Sequence, residues 1–333
     1  MIAEGRIIID LGLDGEVRLH TNRMASVPAL LVGRSPREVV DLLPLVFSLC
    51  ARAHVVAAKG ALGLAVSDAD RLVVLAENAR EHLLRILMSW KAKDTSALPS
   101  ASVMRLVADA KLGYVENSLT SYLETHIFGL PLAEFLAFNS QDVVQWITQA
   151  KTVPARYLAE IINKNWQGLG AAPTRFLPEM PMEILASRLK NPHFSQLPDW
   201  NGQPCETGPL ARQSKHPMVA AAIREFGAGL IARHLARLVD LALLPSQMLA
   251  GNSSPKAVVE TARGRLVHVA QVENGMITDY AIVAPTEWNF HPNGIAVQSL
   301  AALRELDKTV LSEQACAVIR AIDPCVDFEV RVV

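Results

Sequence analysis

Leu49-Cys50-Ala51-Arg52-Ala53-His54 lies in a stretch that reads as helix from Ser35-Pro36-Arg37-Glu38 onward, with Ser35 as N-cap, Pro36 at the first helical position and Glu38 in capping-box spacing. Apolar periodicity carries this helix to about residue 59. Cys50 and His54 then share one face, where thiol and imidazole can meet and favour the thiolate, the form that binds metal. The alternative is a small core cysteine closing the apolar run Leu45-Val46-Phe47-Ser48-Leu49-Cys50.

Upstream, residues 6–13 and 16–20 read as two strands joined through Asp14-Gly15, a strong hairpin signal. Downstream, apolar spacing predicts helices over 67–90, 100–110, 116–128, 131–138, 142–150 and 154–165. Residues 169–217 are rich in Pro, Asn and Gly and suggest loops with short strands. One long amphipathic helix is expected over 218–244, then strands over 257–260, 265–272 and 277–284, and closing helices over 294–306 and 312–322. Asp323-Pro324-Cys325 follows, with proline ending the helical run and placing the thiol on a turn. The expected class is α+β, a helix-rich core with small antiparallel sheets or hairpins. Gly227-Ala228-Gly229-Leu230-Ile231-Ala232 loosely resembles a dinucleotide fingerprint, but no strand precedes it, and its glycines suit a helix crossing better.

Half of the 333 residues are hydrophobic, which excludes a disordered chain, and a net charge of −1 gives no field to steer the protein to nucleic acid or an anionic membrane. No apolar run approaches the ~20 residues of a membrane span, so no membrane insertion is expected. The cysteines, Cys50, Cys205, Cys316 and Cys325, are too sparse for a disulfide framework. With no leader read at the N-terminus, reduced thiols and a cytoplasmic location are expected.

A series of landmarks runs along the chain in order: Ala3-Glu4-Gly5, Leu49-Cys50-Ala51-Arg52-Ala53-His54, Gly202 through Pro204-Cys205-Glu206-Thr207-Gly208-Pro209 to Arg212, Glu260-Thr261-Ala262-Arg263-Gly264, Val283-Ala284-Pro285-Thr286-Glu287-Trp288-Asn289, and Asp323-Pro324-Cys325. This series resembles the large subunit of nickel-iron hydrogenases nearly end to end, least so between residues 65 and 190. The resemblance implies one degenerate large-subunit domain over 1–333, whose N- and C-terminal segments meet at one site. In that family two Cys-x-x-Cys pairs hold nickel and iron. Here half of each remains, since the pairs read Phe47 with Cys50 and Cys325 with Phe328. Phenylalanine offers no donor to a soft metal, so no nickel is expected. The family's magnesium ligands fall on Arg331 and near Pro28, so no magnesium site is expected either.

What remains matches the surroundings of the family's iron. By that resemblance Arg263 and Thr286 serve the two cyanides, Leu266 walls the carbonyl, His54 stands beside the bridging cysteine, and Glu4 is the carboxylate that relays protons. The chemistry is coherent, because a buried cyanide needs charge-assisted donors and carbon monoxide an apolar wall. The pattern resembles hydrogenase assembly proteins of the HupK or HoxV type. It implies a non-enzymatic carrier or scaffold that holds an Fe(CN)2(CO) unit, transiently, on Cys50 and Cys325. The partners implied are the maturation proteins that build or deliver the unit and the apo large subunit. Since Cys325 takes the first C-terminal position, normally a terminal nickel ligand, iron ligation there implies a local shift of the turn. A metal-free chaperone that mimics the large subunit is the alternative, and an active hydrogenase the remote one. At single residues, Arg263 has the alternative of a buried ion pair, Thr286 of a turn cap and Glu4 of solvation. Cys205 and Cys316 read as packing residues and Trp288 as a fold landmark.

Overall fold

The first and last strands of the chain lie side by side. In the computed structural model, which describes residues 5–21, 27–90, 115–250 and 257–333, β1 (Arg6–Leu11) pairs antiparallel with β2 (Val17–Thr21) and parallel with β6 (Asp327–Val332). The register sets Ile7 opposite Phe328 and Ile9 opposite Val330. A second sheet has the order β3 (Val258–Thr261), β4 (Gly264–Glu273), β5 (Met276–Val283), all antiparallel, with β4 and β5 turning at Asn274-Gly275. The expected hairpins are present, and β6, a strand not among those expected, adds a parallel pairing to the first sheet. Its alternation of Phe328, Val330 and Val332 with polar residues turns one face toward the main core.

Helices make up most of the rest, as expected of a helix-rich α+β chain: α1 (Val27–Leu31), α2 (Pro36–Val46), α3 (Ala51–Ala61), α4 (Asp68–Ser89), α5 (Val115–Tyr122), α6 (Leu132–Leu136), α7 (Ser140–Gln149) and α8 (Val153–Asn163). After them come α9 (Met182–Leu189), α10 (Pro192–Gln196), α11 (Pro209–Gln213), α12 (Pro217–Phe226), α13 (Leu230–Leu249), α14 (Pro285–Asn289), α15 (Ile295–Ala301) and α16 (Lys308–Ile322). The helix expected over 116–128 is α5 followed by a π-helical turn, Leu123–Phe128. Residues 169–217, read as loops with short strands, hold three helices and only isolated bridges. The helix expected over 100–110 lies outside the described residues. Helix α13 is buried along nearly its whole length and contacts α4, α5, α8, α12 and α16, which makes it the axis of the largest apolar cluster.

Two long helices of the sequence reading are each two helices. The first breaks at Phe47, Ser48, Leu49 and Cys50, where Phe47 turns extended after α2 and Cys50 becomes the N-cap residue of α3. The second breaks at Gly227, whose φ of 67° ends α12. The glycines thus stand between helices rather than inside one. A Cβ on Gly229 would lie 2.7 Å from the backbone of Gly168, so close approach of two chain segments requires glycine there.

Candidate functional site

The break between α2 and α3 is held from α4. Glu77 accepts hydrogen bonds from the Arg52 and Ala53 amides at 2.9 and 3.0 Å, supplying the cap that Cys50 does not provide. Arg80 donates to the Leu49 carbonyl at 3.2 Å. Cys50 is therefore fixed at a helix start with its thiol left out of the capping.

Arg263 is placed by a latch among three of the landmark segments. Gly264, at φ 136°, packs so tightly that a Cβ would come within 2.6 Å of the Thr207 side chain. The Thr207 hydroxyl accepts from the Arg265 amide at 3.0 Å, while the Asn289 side chain bonds both the Thr207 amide and carbonyl at 2.9 Å. From this anchored turn the Arg263 guanidinium reaches Cys50 Sγ at 3.8 Å and Glu81 Oε2 at 3.1 Å through two nitrogens, and its Nε lies 3.6 Å from Asp323 Oδ1.

The C-terminal turn is held by charge. Asp323 takes the left-handed conformation, φ 66°, and its buried carboxylate also meets Arg237 at 3.0 Å and Arg85. Two residues on, Cys325 Sγ lies 2.9 Å from the Thr286 hydroxyl, and the Cys325 amide donates to the same hydroxyl at 3.4 Å. Behind them the ion pairs continue. Arg237 faces His82 Nδ1, His82 Nε2 meets Asp240 at 2.9 Å, and Arg212 joins Asp240 to Glu260.

Six of the residues singled out from sequence, Cys50, His54, Arg263, Leu266, Thr286 and Cys325, line one cavity of about 510 Å³. Its remaining wall is largely apolar, with Leu19, Val27, Phe47, Leu197 and Phe290 among the lining residues. Leu266 is buried on β4 between the cavity and the core. The Phe47 and His54 rings stack at 3.6 Å, and His54 also bonds His268. Glu4 lies outside the described residues. Cys205 is buried in a separate apolar cluster and Cys316 is half-buried on α16. Among the described residues no three His, Cys, Asp or Glu side chains converge as a metal-binding group.

Burial pushes the Cys50 thiol up to about 12, although the Arg263 charge pulls against it. Burial also opposes the charges of Asp323 and Arg263, but their mutual attraction prevails: the carboxyl is held well below the usual range and the guanidinium above its own. The ion-pair alternative for Arg263 is thus present, and the same guanidinium also faces Cys50. Glu77, Glu81, His268 and Tyr280 were missed as site residues. The signal for the first two was available: acidic side chains four apart within the apolar stripe of α4, where burial requires partners.

The fold is shared with solved nickel-iron-selenium hydrogenases: the enzyme from Desulfomicrobium baculatum superposes with a TM-score of 0.60 over 93% of both chains at 14% identity, and the reduced enzyme from Desulfovibrio vulgaris Hildenborough gives 0.59 at 16%. Residues 237–330 match the family of nickel-dependent hydrogenases. The chain therefore has a degenerate large-subunit fold. Within that class it belongs to the hydrogenase expression/formation proteins. It is 31% identical to HupV of Azotobacter chroococcum over 99% of both chains, and 28% identical to HupK of Azotobacter vinelandii over 99% of both. HoxV of Cupriavidus necator is 28% identical over 91% of this chain and 89% of its own. No helix among the described residues is long and apolar enough to cross a membrane.

Proposed function

We propose that this protein is a non-catalytic, cytoplasmic hydrogenase maturation factor that holds the Fe(CN)2(CO) unit on Cys50 and Cys325 before the unit passes to the apo large subunit. The observation that carries this reading is the convergence of both retained cysteines with Arg263, Thr286 and Leu266 on one cavity. The two thiolates would hold iron, which brings its own diatomic ligands, and the guanidinium and hydroxyl would offer donors to anionic cyanide. Leu266 offers the carbonyl an apolar wall. Phe47 and Phe328 leave the nickel half without donors. The proteins that build or deliver the iron unit are the expected partners.

The test is metal analysis and infrared spectroscopy on anaerobic protein co-expressed with the maturation set. Iron without nickel is expected, with cyanide and carbonyl bands. Cys50→Ala or Cys325→Ala should abolish iron retention, and Cys205→Ala should not. Arg263→Leu removes a charge-assisted hydrogen bond of ~1.5–3 kcal/mol and should shift or weaken the bands. Thr286→Val should perturb the cyanide bands more than the carbonyl band, and Leu266→Ala the reverse. Bands unchanged in all three variants would sink the cage. Protein free of iron would favour the second reading, a metal-free chaperone that mimics the large subunit. That reading draws support from Arg263 already being balanced by Glu81 and Asp323. Stoichiometric nickel with hydrogen uptake would instead mean an enzyme.

A further inference from the structure

Strand β6 closes one edge of its sheet, and among the described residues β1 is the strand that pairs with it. The Val333 amide donates to the Leu11 carbonyl at 3.0 Å, which fixes the parity of the strand. Glu329, Arg331 and Val333 turn their backbone groups toward β1, while Phe328, Val330 and Val332 turn theirs outward. No hydrogen bond among the described residues reaches those outward amides and carbonyls. The side chains of Phe328, Val330 and Val332 share the core-side face with Ile7, Ile9 and Leu11, yet each stays partly exposed. On the outer face Arg6 bonds Asp327 and Glu329, and Arg331 Nε reaches Glu329 at 2.9 Å. The pairing with β1 runs in register over the whole strand, and β6 contains no proline or lysine, so the devices that blunt an open edge are missing from it.

The sequence of β6 selects what such an edge can pair with. When two copies of one strand run antiparallel about a twofold axis, a single residue stands opposite itself, and outward-turned residues must meet outward-turned ones. With Val330 on the axis, Val330 meets Val330 and Phe328 meets Val332, each pair exchanging backbone hydrogen bonds, and Glu329 faces Arg331 twice. The neighbouring registers set like charges together. An axis at Glu329 opposes two carboxylates, one at Arg331 opposes two guanidiniums, and one at Phe328 puts Asp327 against Glu329. One register is therefore favoured in both apolar contact and charge.

We propose that β6 is an interaction edge for a second copy of this chain, the two strands pairing antiparallel about Val330 and joining two three-stranded sheets into one. The contact is self-complementary: it satisfies the outward backbone groups of both copies and covers the partly exposed Phe328, Val330 and Val332 side chains with one another. Cys325 lies two positions ahead of Asp327, so this edge borders the turn that carries the second thiol. The pairing does not depend on what the cavity holds.

The test is sedimentation velocity over a concentration series on the full chain, joined to residue-resolved hydrogen exchange. A reversible monomer–dimer equilibrium is expected. Protection of the Phe328, Val330 and Val332 amides should rise with concentration, while the Glu329, Arg331 and Val333 amides, bonded to β1, stay protected throughout. Val330→Pro removes an amide that β1 does not use, so it should abolish the dimer and leave the β1 pairing intact. Glu329→Arg and Arg331→Glu each set like charges opposite one another twice, and each should weaken the dimer about tenfold. An equimolar mixture of these two variants restores both opposite-charge pairs and should recover the original affinity, which a loss of folding could not do. Protein that stays monomeric up to ~100 μM would overturn the proposal, and is the result expected if the edge instead takes a strand from a different protein. A dimer that persists in Val330→Pro with the outward amides exchanging freely, or a mixture no tighter than its separate components, would overturn it as well.

Discussion

The two cysteines reach the cavity on arms built in opposite ways. Cys50 stands at a helix start held by backbone hydrogen bonds to α4 and by apolar stacking of Phe47 on His54. Cys325 stands on a left-handed turn whose neighbour Asp323 is gripped by Arg85, Arg237 and Arg263. The first arm is specified by a helix that could begin nowhere else once Glu77 caps it. The second is specified by charge, with one buried carboxylate gripped by three arginines. Arg263 touches both arms, so one guanidinium bridges them.

The largest effect should come from breaking the charged arm. Asp323→Asn keeps a residue that tolerates left-handed backbone but removes the carboxylate from buried arginines, and a loss of ~3–5 kcal/mol in denaturant unfolding is expected. A loss below ~1 kcal/mol would mean that the arginines do not depend on Asp323. Glu77→Ala should cost less, ~1–3 kcal/mol, because it strands two amides at the start of α3 without unpairing the buried cluster. Hydrogen exchange should quicken at Arg52 and Ala53 and leave the Cys325 turn protected; quickening at both would show the arms to be one unit.

Acid should separate the arms by pH. His268 lies near 3 when folded and at an ordinary 6.5 when unfolded, so the unfolded chain binds the extra proton. Stability is therefore unaffected by His268 above pH 6.5 and falls by ~1.4 kcal/mol per pH unit from there down to about 3. His234, also held at about 3 by burial in the α13 core, adds an equal slope, and buried His82 is held down in the same direction, so His268→Leu should remove less than half of the fall. Asp323, whose carboxyl is depressed, loses its contribution only below the ordinary carboxylate range, so this carboxylate yields after the buried histidines. The smallest effect should be Thr286→Val in the metal-free protein, ~0.5–1.5 kcal/mol for the loss of the hydroxyl's contacts with the Cys325 thiol and amide, seen as a shift in melting temperature.

Local chemistry made some of this legible from residue types alone. Ser35 and Glu38 form the capping box that their spacing announces, and β1 to β5 begin close to where alternation and turn residues place them. The break at Phe47–Cys50 was not legible, because apolar periodicity runs through it and the cap that permits it comes from Glu77, 25 positions from Arg52. The parallel strand β6 carried a readable alternation, but its partner is 321 positions away at the other end of the chain. Among the described site residues, those matching family landmarks line one cavity. Of the carboxylates that hold them, Glu81 stands out in the apolar stripe of α4, but Asp323 shows its role only once packing has enclosed the arginines, since charge pairing across long separations leaves no periodicity.

The pairing of β1 with β6 also bears on when the cavity can come into being. A chain grows on the ribosome from its first residue, and Arg6 must wait for Asp327 before this edge of the sheet can close. Cys325 lies just ahead of that strand, so zipping β6 onto β1 and swinging the second thiol into place are one late, long-range event. The protein's helical body can thus fold during synthesis, while its two-cysteine pocket is withheld from any visitor until β6 has been made.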